Sequence, residues 1–434
     1  MTIAFFMFLT IVIPLFLGMP IAVSLGLSGL VWLAALDSEG FRWLFGASGA
    51  IWNTANNAAL ISVPLFVLMG ELLQRTGMGA RFYRGISAAL GRVPGGALHT
   101  NIAACSVISA VSGSSVATTA TVGSVAVPSL LRQRYDRKLV FGSLAAGGTL
   151  GILIPPSIPM IIYAGLTEQS VGRLFAAALI PGLMITALFL IYIAFRSLLI
   201  PKAVLAAGSE ARVTRTFFGA LLDIFPFVLI FTTIIGFLYG GLATPTEIAA
   251  VGVLIVLAVA AIYREVTPRL IWQAAISATK ITAVILFVVI GAQIFSYAMF
   301  GWGVTRTMVG WVMNLQVEPV VVFAVLALMY VFLGMFIDPI SMMVLTLGVV
   351  FPIITALGFD PIWFGIVLVL LIEIGLITPP VGINLFTIQA IAPRGTRILE
   401  VATGALPFVG ILILGVAILV AFPELALWLP DRWY

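Results

Sequence analysis

Three hydroxyls, in the stretch Val111-Ser112-Gly113-Ser114-Ser115-Val116, interrupt a long apolar run, and a later run breaks at Gly151-Ile152-Leu153-Ile154-Pro155-Pro156-Ser157. Consecutive prolines remove two backbone donors and push the preceding residue out of the helical region, so carbonyls between Gly151 and Pro156 come free. Hydroxyls of Ser112, Ser114 and Ser115 with those carbonyls make a neutral, oxygen-only ligand set, which suits a hard cation such as Na⁺. The ingredients recur further on: Asp338 in Met335-Phe336-Ile337-Asp338-Pro339-Ile340-Ser341, and Thr378 with the carbonyls of Gly375 to Pro380. Half-helix N-termini at such breaks point partial positive charge into the same space, where they and a bound cation can hold a carboxylate without a buried arginine. No arginine lies in these runs.

Each feature also has a plainer role. Gly142, Gly147 and Gly151, with Ser112 to Ser115, could serve close helix packing through small residues. The proline pairs could be structural kinks, and Asp338 a solvated carboxylate. Glu71, Glu247 and Glu373 lie in or near apolar runs, where an ionisable side chain is either functional or a protonated or paired structural group. His99, close to the start of the first interrupted run, reads as structural. The chain has no GxxxxGK[ST] loop, no HExxH helix, no Gly-x-Ser-x-Gly elbow and no His/Cys cluster, so ATP hydrolysis is excluded and intramembrane catalysis has little to stand on. Cys105 is alone, so no internal disulfide is possible.

The elements that position these residues are membrane helices. Apolar residues make up 62% of the 434 and charged ones 9%, with a mean hydropathy of +1.23, which marks an all-α polytopic membrane protein. No charge precedes Asp37, so the first run lacks the basic start of a signal peptide and is expected to stay as a helix. Crossings are expected over Ile3 to Leu17, Ala22 to Leu36, Ala50 to Leu73, Leu139 to Gly165 and Leu174 to Leu198. The run from Gly96 to Val111 is too short to cross, since a span needs ~20 residues; with Val116 to Leu131 it predicts a re-entrant hairpin, tolerated where protein or a watery cavity satisfies the backbone. Arg81 to Arg92 predicts an interfacial amphipathic helix with Phe82, Ile86 and Leu90 on one side.

A linker over 201–216 separates two similar halves. Residues 1–200 hold a hairpin at 96–131 and a broken helix at 139–166; residues 217–434 hold a hairpin at 319–357 and a broken helix at 361–390. Pro20 pairs with Pro245, Pro155 with Pro380 and Gly113 with Asp338 at an offset of 225, and Leu65 to Gly70 with Leu286 to Gly291 at 221. Five crossings per half force the second copy to insert upside down. With the N-terminus outside, 17 of the 21 lysines and arginines fall on the cytoplasmic side and only Arg42, Arg173, Arg306 and Arg432 outside, a strong positive-inside bias. The hairpin near Gly113 then opens from the cytoplasm, the one near Asp338 from outside, and both termini are periplasmic. Inverted repeats with broken helices are the general plan of secondary transporters, with sites near the midplane.

The chain resembles, over essentially its full length, the large membrane subunit of tripartite ATP-independent periplasmic (TRAP) transporters. The likeness is carried by Val63-Pro64-Leu65-Phe66-Val67-Leu68-Met69-Gly70, Ser112-Gly113-Ser114-Ser115, Gly151 to Ser157, Gly241-Leu242-Ala243-Thr244-Pro245-Thr246-Glu247 and Gly375 to Leu385. It implies an elevator-type, Na⁺-driven importer of organic acids, such as C4-dicarboxylates or sialic acid, in the bacterial inner membrane. The implied partners are a small four-helix membrane subunit and a periplasmic substrate-binding protein. By that likeness one Na⁺ site falls on Ser112, Ser114, Gly151, Ile154 and Pro156, and a second near Asp338, Gly375, Thr378 and Pro380. The acid would lie near Ser114, Ser115, Ser157 and Asn384. Arg81 to Arg92 and Thr267 to Lys280, the latter with Pro268 at its first helical position, would brace a static scaffold against the moving hairpins. Competing readings are a stand-alone anion symporter or exchanger, a proton-coupled version using Glu373 or Glu71, and, from another class, an intramembrane enzyme or assembly scaffold.

Overall fold

The computed structural model describes residues 2–36, 42–90, 95–199 and 217–434. The expected linker 201–216 and Arg92 lie outside the described residues. Within them every regular element is an α-helix. Among the described residues eight helical stretches are long and apolar enough to cross a membrane, and five apolar helices of 10–17 residues accompany them.

In the first half, Thr2–Phe16 and Ile21–Leu36 precede Arg42–Ala55, Ala58–Ile61 and Val63–Arg75. The expected continuous crossing over Ala50 to Leu73 is therefore corrected. The chain breaks at Asn56-Asn57, where Asn57 Oδ1 accepts the amides of Ala59 and Leu60 as an N-cap and restarts the helix. The crossing is Ala58–Arg75. Met78–Leu90 follows, with Phe82 buried, and it packs on Phe217–Tyr239 and on the hairpin arm Gly96–Ser112. The hairpin closes through Ser115–Arg132, and the broken helix consists of Arg137–Leu153 and Ile158–Thr167, followed by Val171–Leu199.

The second half repeats this order: Phe217–Tyr239, Pro245–Ile262, Pro268–Gly301 and Val304–Asn314, then hairpin arms Pro319–Gly334 and Pro339–Ala356, broken helix Pro361–Leu376 and Ile383–Ile391, and Ile398–Ala421. A last helix, Glu424–Trp433, packs on Val171–Leu199. Thr267 caps Leu270, but Thr267 to Lys280 is not a separate amphipathic piece, because Pro268–Gly301 continues unbroken into the crossing. In chain order the element that answers Met78–Leu90 is Val304–Asn314. Pro339–Ala356, at 18 residues, could cross by length alone; its tip at Asp338 instead meets the first hairpin tip in a shared cavity.

The halves embrace reciprocally. Arg137–Leu153 packs on Ile398–Ala421 while Pro361–Leu376 packs on Val171–Leu199. Likewise Ser115–Arg132 packs on Ile383–Ile391 while Pro339–Ala356 packs on Ile158–Thr167. Element i of one repeat touching j of the other, and j touching i, is what a two-fold relation produces. Ser114 and Asp338 both cap the exit arms of their hairpins, so structural equivalence runs at an offset of 224, one less than the pairing of Gly113 with Asp338. Ion pairs join segments that the charge pattern of the sequence places on the same face: Arg81 with Glu265 at 2.9 Å, Arg137 with Glu400 at 2.8 Å and Arg173 with Asp431 at 2.9 Å.

Ile21–Leu36 packs along Pro268–Gly301, and Gly29 permits their close approach: a Cβ there would stand 2.7 Å from the Phe295 amide nitrogen and 2.8 Å from its Cα. Overpacking at a backbone contact costs about 1–3 kcal/mol. Gly29→Val is expected to lower the thermal unfolding temperature of the detergent-solubilised chain, with Gly49→Val, whose Cβ meets nothing within 4 Å, as the neutral control. Equal melting of the two variants would remove the contact from the account.

Candidate functional site

The first hairpin turns at Gly113, whose φ of 62° is the left-handed conformation that a Cβ disfavours. Its amide donates to Ser109 O at 2.8 Å, ending the entry arm. Ser114 Oγ then accepts the Ala117 amide at 3.4 Å, starting the exit arm. Ser112 Oγ shares a 2.7 Å hydrogen bond with Thr118 Oγ1, and Ser115 Oγ reaches Thr149 O at 3.5 Å. These bonds tie the tip to itself and to the broken helix beside it.

Pro155 and Pro156 lack the amides that Gly151 O and Ile152 O would accept one turn on. Ser157 Oγ donates to Ile152 O at 2.6 Å, which replaces one of them, and accepts the Met160 amide at 3.4 Å as the cap of Ile158–Thr167. Gly151 O loses its helical partner at a place where Gly151 meets the tip: a Cβ on it would stand 3.1 Å from the Ser114 carbonyl carbon. Pro156 O lies 3.4 Å from where a Gly113 Cβ would be. Ser112, Ser114, Gly151 and Pro156 are thus brought together. Ile154 turns its side chain onto Gly182, leaving its backbone as the only part able to serve the tip.

The second break follows the same rule, with Pro379 and Pro380 depriving Gly375 O and Leu376 O. The bond between the prolines is cis in both pairs. Gly375 O accepts the Thr378 amide at 3.1 Å, and Thr378 Oγ1 donates to Ile374 O at 2.5 Å. Gly375 packs backbone to backbone on Gly334, and the Gly382 amide donates to Met335 O at 3.0 Å, which stitches the break to the second tip. Asp338 Oδ2 accepts the Ser341 amide at 3.1 Å. Residues Gly151 to Ser157 are all buried, whereas Pro379 and Pro380 are exposed.

Both tips open into one cavity of about 280 Å³. Ser112, Ser114, Ser115 and Asp338 line it, with Ile152 and Leu376 from the broken helices. First-turn residues of three helices, Val116, Pro339 and Pro159, also face it, which places three positive helix ends at its wall. Ser157 and Asn384 do not line it: the hydroxyl is spent on Ile152 O, and Asn384 Nδ2 donates to Ala145 O at 3.3 Å across the two repeats. Glu71 and Gln74 do line it, from the helix that Gly70 brings against Ser112 O. Gln74 was not singled out by its sequence; it follows Gly70 by four positions on the same helix.

The three glutamates separate. Glu71 pairs with Arg75 at 3.0 Å. Glu247 completes a capping box with Thr244 and is a helix-start residue. Glu373 is fully buried, and among the described residues neither carboxyl oxygen has a hydrogen-bond partner. His99 is buried in the first turn of the hairpin and away from the cavity. Among the described residues no group of three or more His, Cys, Asp or Glu could hold a metal ion. The oxygen groups lining the cavity include the hydroxyls of Ser112, Ser114 and Ser115 and the carboxylates of Glu71 and Asp338.

The model of one protein family, described as the DctM component of the tripartite ATP-independent periplasmic transporter, matches residues 8–425. The C4-dicarboxylate TRAP transporter large permease protein DctM of Pseudomonas aeruginosa is 34% identical over 415 residues, covering 94% of each chain. The ectoine TRAP transporter large permease protein TeaC of Halomonas elongata is 32% identical over 434 residues, covering 97% of this chain and 99% of its own. The crystal structure of the Alcanivorax borkumensis YdaH transporter superposes with a TM-score of 0.66 at 16% identity, over 92% of this chain and 90% of that one, so the two share a fold.

Ser157→Ala leaves Ile152 O without a partner and removes a cap, a loss of about 1–2 kcal/mol. Its expected signature is a lower unfolding temperature in detergent that Ser157→Thr largely restores. An alanine variant as stable as the parent would mean that the hydroxyl does not hold the break.

Proposed function

Because the chain belongs to the family of DctM components of tripartite ATP-independent periplasmic transporters, we propose that it is the translocation subunit of a Na⁺-coupled importer of organic acids. The observation that carries this reading is the convergence of both hairpin tips on one cavity, with Gly151 O deprived of its helical partner beside Ser114. Na⁺ when bound supplies positive charge at the tip. The hydroxyls of Ser112 and Ser114 and the carbonyls of Gly151, Ile154 and Pro156 hold it, with Asp338, Gly375, Thr378 and Pro380 as the symmetry-related set.

The helix starts at Ser115 and Pro339 orient the acid's carboxylate, which the lining otherwise disfavours, since Glu71 and Asp338 are its only charged residues among those described. The hairpins, broken helices and the helices Val171–Leu199 and Ile398–Ala421 move as one body against a scaffold of the remaining crossings, in an elevator. Met78–Leu90 bridges the two. The subunit resides in the bacterial inner membrane with both termini periplasmic, works with a small four-helix membrane subunit, and receives its acid from a periplasmic binding protein. Kinship does not choose the acid, since relatives named for C4-dicarboxylate and for ectoine are similarly close.

In liposomes holding the assembled transporter, Ser112→Ala is expected to raise the Na⁺ concentration for half-maximal uptake about tenfold, equivalent to ~1.4 kcal/mol, with less effect on uptake at saturating Na⁺. Uptake that ignores Na⁺ in the parent protein would defeat the proposal. Glu373 favours a second reading, in which its buried carboxyl carries a proton with the acid. Glu373→Gln at fixed pH separates the two: retained Na⁺-driven uptake assigns Glu373 to structure, and loss of uptake with the fold intact assigns it to coupling.

A further inference from the structure

A second cavity of about 280 Å³ lies away from the hairpin tips, where Arg42–Ala55 and Pro268–Gly301 approach the end of Ile158–Thr167. The two cavities touch opposite ends of that one helix. Ile158 and Pro159 line the central cavity, and Gly165 and Glu168 line this outer one. The helix has 10 residues, so its ends are ~15 Å apart. It packs on Ala58–Ile61 and Val63–Arg75, and Asn57 Nδ2 donates to Gly165 O at 3.2 Å across that seam.

The wall of the outer cavity is polar and part of it is uncommitted. Thr54 donates to Ala50 O and Asn57 is engaged with Gly165. Asn53, Gln293, Tyr297 and Glu168 also line it, and no hydrogen bond within the described residues uses their side chains. Two amides and a phenol both donate and accept, whereas the carboxylate only accepts. Glu168 is held at the rim by its position as the C-cap of Ile158–Thr167, with φ 57°, where glycine or asparagine is usual. No lysine, arginine or histidine lines the cavity among the described residues. A wall with one negative group and no positive one disfavours a dianion.

We propose that this outer pocket is an entry site for acids that carry hydroxyl or ammonium donors, in preference to plain dicarboxylates. Asn53 and Gln293 meet the solute's carboxylate with amide N–H groups, and Glu168 accepts from its donors. The inference rests on the import reading, which puts this pocket on the outer face and on the way to the hairpin tips.

Gly49 lines the pocket and a Cβ on it meets nothing within 4 Å. Gly49→Cys in a Cys105→Ala background therefore sets a thiol there. The full chain in right-side-out vesicles is treated with the impermeant anion 2-sulfonatoethyl methanethiosulfonate, with gluconate or succinate as competitor. Labelling from outside is expected, slowed at least threefold by gluconate and much less by equimolar succinate. Adding Asn53→Leu and Gln293→Leu should abolish the protection and leave labelling. Protection by succinate equal to that by gluconate, no protection by gluconate, or labelling only in inside-out vesicles would overturn the assignment. Protection with no Na⁺-dependent uptake by the Cys105→Ala parent would instead overturn the import reading and support the pocket's chemistry.

Discussion

Two prolines in succession take two N–H groups out of a helix and leave two carbonyls to be satisfied by something else. In the bilayer interior a carbonyl without a partner costs several kcal/mol, so everything near such a break must be arranged around the oxygens it releases. The Ser157 hydroxyl answers Ile152 O and the Thr378 amide answers Gly375 O, while the Thr378 hydroxyl holds Ile374 O. What those groups do not answer, the hairpin tips approach. Gly113, Gly151 and Gly375 are small because the backbones have to meet there, at the Ser114 carbonyl in one repeat and at Gly334 in the other.

The two repeats meet the same constraint in different surroundings. The first break is fully enclosed and the second exposes both prolines. Ile158–Thr167 packs on Pro339–Ala356 and Val171–Leu199, as its counterpart Ile383–Ile391 packs on Ser115–Arg132 and Ile398–Ala421, but it also leans on Ala58–Ile61 and Val63–Arg75. Equivalent sequences thus sit in unequal surroundings. Asn57 Nδ2 donates to Gly165 O and ties Ile158–Thr167 to the N-cap of Ala58–Ile61.

Legibility followed how local the cause is. A proline pair acts on its own turn, and Ser-Gly-Ser-Ser on its own loop, so both breaks and the first tip could be read from residue types, as could the repeat that places them. The break at Asn56-Asn57 had a signal too, an N-cap residue, but apolar neighbours on both sides masked it. Ser157 and Asn384 were legible as polar groups near the site and not as to direction. Which carbonyl a hydroxyl or an amide finds depends on the backbone across the gap, Ile152 O in one case and Ala145 O from the other repeat in the second. Glu71 and Gln74 enter the cavity through a helix contact at Gly70 that no local pattern specifies.

A ligand that binds the folded state alone raises its stability by RT ln(1 + L/Kd), where L is the free ligand concentration, a gain that grows with that concentration. The most direct measurement is therefore the thermal unfolding of the purified full chain in detergent at constant ionic strength, with Na⁺ exchanged stepwise for K⁺. Oxygens gathered at the broken helices predict a rise in unfolding temperature specific to Na⁺ that grows with the logarithm of its concentration once the site fills. An unfolding temperature that does not distinguish the two ions would contradict the account.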